Sequence, residues 1–291
     1  MTVPLFIESG VANICKHGEI LCGDSVAVAT IDGGRLMVLS DGLGSGVKAN
    51  ILATLTTTIA TRLMERGLPL EVVVETLTDT LPECKVRKIA YSTFTLLKIM
   101  DDGTAYLAEF DNPPTFFLKR GYVSQLIYKD RIIGTRKIRE ASLHVEPGDW
   151  LVTVSDGEIH AGIGGLLNLG WDWDKIARFL ETQVHEDASA QKIAQTLVDQ
   201  AQALYENKPG DDTTAGVLKI RPKRFAVFMI GPPVNKENDD LVATKLLDMP
   251  GRKIVSGGTT AGIIASRLGE NVEVDLSTMT ERIPPPRGAR I

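Results

Sequence analysis

The chain has 291 residues, of which 43% are hydrophobic and 24% are charged, as in ordinary globular proteins. Its net charge of −5 argues against a nucleic-acid-binding surface, and none of its apolar runs is long enough to span a membrane. The N-terminus lacks the basic head and long apolar core of a signal peptide. We therefore expect a cytoplasmic protein that binds neither nucleic acid nor membrane.

The N-terminal part of the chain predicts strands followed by two helices. Residues 5–40 contain apolar runs separated by turn residues, which is typical of strands. Residues 46–66 predict a helix, because an apolar residue recurs at every fourth position, at Val47, Ile51, Leu55, Ile59 and Leu63. The threonines at 56–58 have weak helix propensity, so burial must hold them in that helix. A second helix is predicted from about Leu70 to Leu81.

The middle of the chain predicts a second set of strands and two more helices. Residues 91–127 are strand-like, and helices are expected near 172–184 and 188–206. Asp187 or Ser189 would cap the second of these helices. Two basic segments, Lys85–Lys88 and Lys129–Arg139, are expected to be solvated loops, and docking of an acidic phosphoprotein is the alternative.

The chain contains three cysteines, Cys15, Cys22 and Cys84. Their spacing matches no metal-binding pattern, and Cys15 and Cys22 lie in apolar, strand-like surroundings. We expect them to be reduced packing residues.

After Arg221-Pro222 the pattern changes to alternating strands and helices, which predicts a small α/β unit over residues 222–291. A unit of this size is marginal alone, so we expect it to pack on the core or on a second subunit in a homodimer. The segment Gly257–Thr260 opens a predicted helix and is either a site for a small anion or a plain tight turn. Ile283–Gly288 predicts an extended tail or the edge of a longer protein, in which case the unit is incomplete.

Four acidic residues lie at the ends of predicted strands, although they are far apart in the sequence: Asp24, Asp41, Asp156 and Asp211. Carboxylates at strand ends can converge on one edge of a sheet, where they repel one another unless a cation lies between them. Mg²⁺ and Mn²⁺ prefer such oxygen ligands. The alternative for each Asp-Gly pair is an ordinary turn, because Asp and Gly are both common turn residues.

The order of these motifs resembles the bacterial metal-dependent protein phosphatases (PPM family), and in particular the stage II sporulation protein E branch. The resemblance covers about residues 10–220 and is carried by Gly23-Asp24-Ser25, Ser40–Gly46, Pro147–Gly157 and Asp211–Thr214. It implies an α+β fold, an α-β-β-α sandwich of two mainly antiparallel sheets flanked by helices. The phosphatase domain would span residues 1–221.

The resemblance also implies two Mn²⁺ or Mg²⁺ ions. Asp41 would bridge both ions, and Asp24 and the carbonyl of Gly42 would hold the second. Asp156 and Asp211 would complete the first site, and Asp212 is a weaker candidate ligand. Asp41 and Asp156 are the expected catalytic residues.

By the same resemblance the activity would be hydrolysis of phosphoserine or phosphothreonine on a protein in bacterial signalling, by a metal-activated water. An anti-sigma-factor antagonist-like protein is the expected kind of substrate. No residue is assigned as the leaving-group acid, so a bound water is the default. His160 follows Asp156 closely and is a candidate for contact with the substrate. The alternatives are a regulatory binding module with low turnover and a two-metal phosphoesterase that acts on small molecules.

Overall fold

The computed structural model describes residues 4–80, 92–134, 136–275 and 288–290. It divides into two compact units, Met1–Pro222 and Lys223–Ile291. Within the described residues, no helix has both the length and the apolar character needed to cross a membrane.

The first unit contains two antiparallel sheets. One has five strands, in the order β1 (Leu5–Ile14), β11 (Thr213–Pro222), β10 (Trp150–Val154), β6 (Phe116–Lys119) and β7 (Tyr122–Ser124). The other has six strands, in the order β2 (Asp24–Ile31), β3 (Gly34–Asp41), β4 (Phe94–Met100), β5 (Thr104–Phe110), β9 (Arg136–His144) and β8 (Lys129–Ile133). Five helices accompany them: α1 (Gly46–Glu65), α2 (Leu70–Thr80), α3 (Asp156–Ile159), α4 (Trp173–Gln183) and α5 (Ala190–Leu204).

Three hydrophobic clusters hold these elements in four layers. The central cluster joins the two sheets through residues such as Met37, Leu107 and Leu218. Helices α4 and α5 pack on the outer face of the five-stranded sheet, and α1 and α2 pack on the six-stranded sheet. This arrangement confirms the predicted α-β-β-α sandwich.

The predicted helix over 46–66 is present as α1, but the apolar residues that recur at every fourth position do not mark its buried face. Val47, Ile51 and Leu55 are exposed. Thr56 and Thr57 are buried, as expected from their weak helix propensity, but Thr58 is exposed. The buried face also carries small residues, which let α1 lie close to strands β2 and β3: Ala49, Ala53 and Ala60.

The segment Lys129–Arg139 was predicted as a solvated loop and is instead the hairpin of β8 and β9. Ile133 and Ile138 are buried in the cluster beneath α1 and α2, which explains why the segment pairs. Its charges are partly neutralised, since Lys137 lies 2.8 Å from Asp130 and Arg139 lies 2.6 Å from Glu109. The other basic segment, Lys85–Lys88, lies outside the described residues, as do Cys84 and Leu81.

The second unit contains two parallel strands, β12 (Ala226–Ile230) and β13 (Arg252–Ser256), and two helices, α6 (Asp239–Asp248) and α7 (Gly258–Leu268). Its core consists of Met229, Ala243, Leu246 and Ile264. A short antiparallel pair follows, β14 (Glu273–Asp275) with β15 (Gly288–Arg290). The predicted tail residues 283–287 lie outside the described residues.

Candidate metal centre

Asp24 and Asp41 are direct cross-strand partners at one end of the six-stranded sheet, where β2 begins and β3 ends. The N–H of Gly42 donates to the carbonyl of Gly23 at 3.2 Å, which holds the two chain segments together beyond the strands. Thr93 fixes the Asp41 backbone from the other side, because its N–H donates to the Asp41 carbonyl at 2.9 Å. Antiparallel pairing therefore places two carboxylates side by side.

The five-stranded sheet supplies the other predicted acids. Asp156 follows β10 and begins α3, and Asp211 and Asp212 immediately precede β11. Strands β10 and β11 are paired, and the N–H of Thr214 donates to the Ser155 hydroxyl at 3.0 Å. This contact brings the two acidic segments together at one end of the sheet.

The charges of these acids act on one another across the two sheets. Burial raises the pKa of Asp41 well above its usual range, and the charges of Asp24, Asp156 and Asp211 raise it further. Burial also raises the pKa of Asp24, and the charges of Asp212 and Asp156 add to the effect. The pKa of Asp211 is raised by burial and then by Asp156. The four strand-end acids predicted from the sequence therefore lie in one electrostatic cluster.

Asp24 provides the test of whether this cluster fits a cation. Its side chain is 3% exposed, and neither carboxylate oxygen has a hydrogen-bond partner within the described parts of the chain. The hydroxyls of Ser155 and Thr214 face it and oppose part of the rise in its pKa, but they do not reach hydrogen-bonding geometry. A buried carboxylate without a partner is costly. A hard divalent cation with oxygen ligands would satisfy both oxygens and offset the crowded charge.

Glycine follows Asp41 and Asp156 because the backbone of another segment lies too close for a side chain, and not because a turn requires glycine there. A Cβ on Gly42 would lie 2.1 Å from the Ala49 carbonyl oxygen, and one on Gly157 would lie 2.1 Å from the Asp212 carbonyl oxygen. Neither glycine has a positive φ. Each Asp-Gly pair therefore allows backbone from another segment to pack directly against the acidic cluster.

The family model described as Stage II sporulation protein E (SpoIIE) matches residues 32–221. The chain belongs to the SpoIIE family. The match begins after Asp24 and includes the other predicted acids. Among curated proteins, none matches this chain.

Solved structures share the fold of the first unit. The PP2C phosphatase domain of SpoIIE from Bacillus subtilis, with a fragment of its regulatory domain, matches with a TM-score of 0.64 and 20% identity over 76% of this chain. This chain spans 64% of that structure. The RsbU and RsbW domains of Rv1364c from Mycobacterium tuberculosis match with a TM-score of 0.61 and 16% identity, over 84% of this chain and 68% of that one. RsbX, in complex with magnesium, matches with a TM-score of 0.51 and 16% identity, over 75% of this chain and 100% of that one.

Several residues that support the acids in this SpoIIE-family chain were missed in the sequence. Asn112 accepts a hydrogen bond from the Thr93 hydroxyl at 2.6 Å and donates to the Thr95 hydroxyl at 3.0 Å. Thr93 in turn accepts from the Asp41 N–H at 3.2 Å. In the sequence Asn112 stands only in a break between strands, before two prolines, and nothing there links it to Asp41.

Glu158 is a second residue that the sequence did not reveal. It is fully buried, and both of its carboxylate oxygens lack a hydrogen-bond partner among the residues described. Burial raises its pKa to about 8, and the charge of Asp24 contributes. Glu158 therefore belongs to the same electrostatic cluster as the predicted ligands.

Two further candidates from the sequence are His160 and the segment Gly257–Thr260. The Nδ1 atom of His160 lies 3.9 Å from an Asp156 carboxylate oxygen, on an exposed surface beside the cluster. The segment Gly257–Thr260 forms the start of α7, and the buried Thr260 hydroxyl has no hydrogen-bond partner in the described structure. A small anion at this helix start stays a prediction.

Proposed function

We propose that the chain is a Mn²⁺- or Mg²⁺-dependent phosphatase that hydrolyses phosphoserine or phosphothreonine on a protein. The observation that carries the proposal is the pairing of Asp24 with Asp41, in one cluster with acids from the opposite sheet. RsbX, which has the same fold, is described in complex with magnesium, and this supports a hard divalent cation.

The ligand assignment is carried over from the family resemblance, and the sheet that supplies each carboxylate is consistent with it. The resemblance implies that Asp41 would serve both cations, and the charges of acids from both sheets act on this residue. Asp24 and the Gly42 carbonyl would hold one ion, and Asp156 and Asp211 the other. The ions would supply a water activated at neutral pH and would offset the charge of the phosphate. No protein nucleophile is required.

The protein residues around the ions have separate tasks. Thr93 and Asn112 hold the backbone at Asp41, and Gly42 lets α1 approach it. His160, which is exposed beside Asp156, would contact a substrate at this side of the cluster. A bound water is the default leaving-group acid.

The substrate and setting are carried over from relatives. The family resemblance supports a phosphoprotein substrate of the anti-sigma-factor antagonist kind, and the RsbU and RsbW domains of Rv1364c are among the structures with a similar fold. We propose a cytoplasmic location and, for the second unit, a role in homodimer contact or in binding a small anion at Gly257–Thr260. The alternatives are a regulatory binding module with low turnover and a two-metal small-molecule phosphoesterase.

The decisive assay is hydrolysis of p-nitrophenyl phosphate and of a phosphothreonine peptide with EDTA, Mg²⁺ or Mn²⁺. Activity should disappear with EDTA and return with Mn²⁺. Asp41→Asn should lower kcat by about 1,000-fold or more, because it removes charge shared by both ions. The matched control is Asp174→Asn, an exposed position in α4. Full activity of Asp41→Asn would refute the two-metal assignment, and hydrolysis of the small ester without the peptide would favour the small-molecule alternative.

A further inference from the structure

Two cysteines and one aspartate meet next to the acidic cluster. A carboxylate oxygen of Asp212 and the Sγ atoms of Cys15 and Cys22 all lie within 4.8 Å of one another. The strand register explains this meeting, because Ile14 of β1 is paired with Thr213 of β11. The residues just beyond that pair are Cys15 and Asp212, and the loop back to β2 then brings in Cys22.

Backbone contacts hold the loop that carries the thiols against the segment before β11. The N–H of Lys16 donates to Asp212 Oδ1 at 3.0 Å, and the N–H of His17 donates to the Pro209 carbonyl at 2.8 Å. The Asn50 side chain donates to the Cys22 carbonyl at 2.8 Å from α1. The three side chains are therefore positioned by contacts on both sides of the loop.

The polar atoms of the group are poorly satisfied by protein. Asp212 is 3% exposed, and its Oδ2 atom has no hydrogen-bond partner in the part of the chain that the structure describes. Cys22 Sγ lies 3.9 Å from the Ile14 carbonyl and from the Thr214 hydroxyl, and Cys15 Sγ lies 4.0 Å from the Ile20 carbonyl. These are long, weak thiol contacts. A buried carboxylate oxygen next to two thiols is stabilised by a cation that accepts both sulfur and oxygen ligands.

We propose that Cys15, Cys22 and Asp212 form a site for a thiophilic divalent cation of the zinc class, separate from the hard-cation centre. Zinc–sulfur bonds of about 2.3 Å place tetrahedral ligands roughly 3.8 Å apart, so small side-chain rotations close the site. A water completes the fourth position, and each thiol releases its proton to solvent on binding. Two sulfur ligands select zinc-class cations over Mg²⁺ and Mn²⁺.

A cation bound at Cys15, Cys22 and Asp212 would change the electrostatics of the neighbouring acidic cluster. The charges of Asp24 and Asp212 both act on Cys22, so the two groups of side chains are electrostatically linked. A cation at the thiols offsets part of this buried negative charge. Cys15 is partly exposed and provides the entry for the ion. The assignment also removes Asp212 from the hard-cation ligands.

The experiment uses Co²⁺ as a spectroscopic probe with the reduced full-length chain, in saturating Mg²⁺ so that hard sites are filled. Wild type should show a thiolate-to-cobalt charge-transfer band in the near ultraviolet, and Zn²⁺ should displace it. Cys15→Ser, at the partly exposed position, should weaken cobalt binding by more than about 100-fold, since loss of an outer-shell partner alone costs about 10–100-fold. Cys22→Ser should do the same, and Asp212→Asn should keep the band but weaken binding.

Two control variants make the result specific. Cys84→Ser removes the third thiol and should leave the band unchanged. Asp41→Asn should also keep it, so that failure of the phosphatase proposal and failure of this site are distinguishable. Absence of the band in reduced wild type, or its persistence in Cys15→Ser, would overturn the site. The site would also be overturned if wild type contains a Cys15–Cys22 disulfide and the protein still binds no cobalt after that disulfide is reduced.

Discussion

At the residue scale, Glu158 shows how strongly burial and a neighbouring charge change the pKa of a carboxyl group in the acidic cluster. Its carboxylate is fully buried without a hydrogen-bond partner among described residues, and its pKa is raised to about 8 by burial and then by Asp24. The folded protein therefore keeps a proton that the unfolded chain releases near pH 4.5. The free energy of unfolding should fall as pH rises between these two values.

Replacing Glu158 tests this dependence directly. In metal-free protein, Glu158→Gln should match wild type at pH 4 and exceed its stability at pH 9 by on the order of a few kcal/mol, because each pKa unit corresponds to about 1.4 kcal/mol. Urea unfolding across this pH range, with EDTA present, measures the difference. Glu75→Gln, at an exposed position in α2, is the matched control. A Glu158→Gln difference that does not change with pH would contradict the expectation.

At the residue scale, the sequence indicates which acids lie at strand ends, but not which distant residues pack against them. Asp24, Asp41, Asp156 and Asp211 all lie at the ends of predicted strands, and this was enough to expect a cluster of carboxylates. The sequence could not place Glu158 in that cluster, because a glutamate one residue after an Asp-Gly pair is as compatible with a solvated helix start. The same holds for Cys15 and Cys22, whose meeting with Asp212 depends on the pairing of β1 with β11.

At the scale of elements, helix boundaries followed from local signals. Helix α5 begins after Ser189, whose hydroxyl accepts from the Lys192 N–H at 3.1 Å, and this cap was among those predicted. The buried face of α1 did not follow from periodicity, since Val47, Ile51 and Leu55 are exposed. Small residues on the opposite face decide the packing, because they let the helix backbone approach the sheet. A hydrophobic repeat does not contain that information.

The approach of α1 predicts a specific defect for Gly42→Ala. The added Cβ would meet the backbone of Ala49 in α1, so the variant should lose about 1–3 kcal/mol of stability through overpacking. It should also reduce the rise in Tm that Mn²⁺ causes, because Gly42 adjoins Asp41. Calorimetry with and without Mn²⁺ measures both effects.

Gly10→Ala is the matched control for this variant. Its Cβ would collide with the backbone of Ala190 and Gln191 at the start of α5. It should destabilise the protein similarly while keeping the Mn²⁺-induced rise. If the two variants lose the same share of that rise, Gly42 has no special relation to the metal centre.

At the scale of the whole molecule, every predicted metal ligand lies in the first unit, Met1–Pro222. The hydrophobic clusters of that unit extend no further than Ile220 in the described structure, and the second unit has its own core around Met229 and Leu246. The alternation of strands and helices after Pro222 was visible in the sequence. The ligand and partner of the second unit could not be predicted from the sequence, because the start of α7 has the same glycine-rich sequence whether or not it binds an anion.

A chain that ends at Lys223 should therefore stay folded, hydrolyse p-nitrophenyl phosphate and show the same Mn²⁺-induced rise in Tm as the full chain, by mass action. Calorimetry and the hydrolysis assay on both proteins measure this. A chain that ends at Gly210 is the matched control and should not fold, since it lacks β11, which pairs with both β1 and β10. Insolubility of the Lys223 chain, or loss of its Mn²⁺ response, would mean that the second unit is needed for the fold of the first. Retained activity with a changed response to inorganic phosphate or to a phosphopeptide would instead assign the second unit a regulatory role.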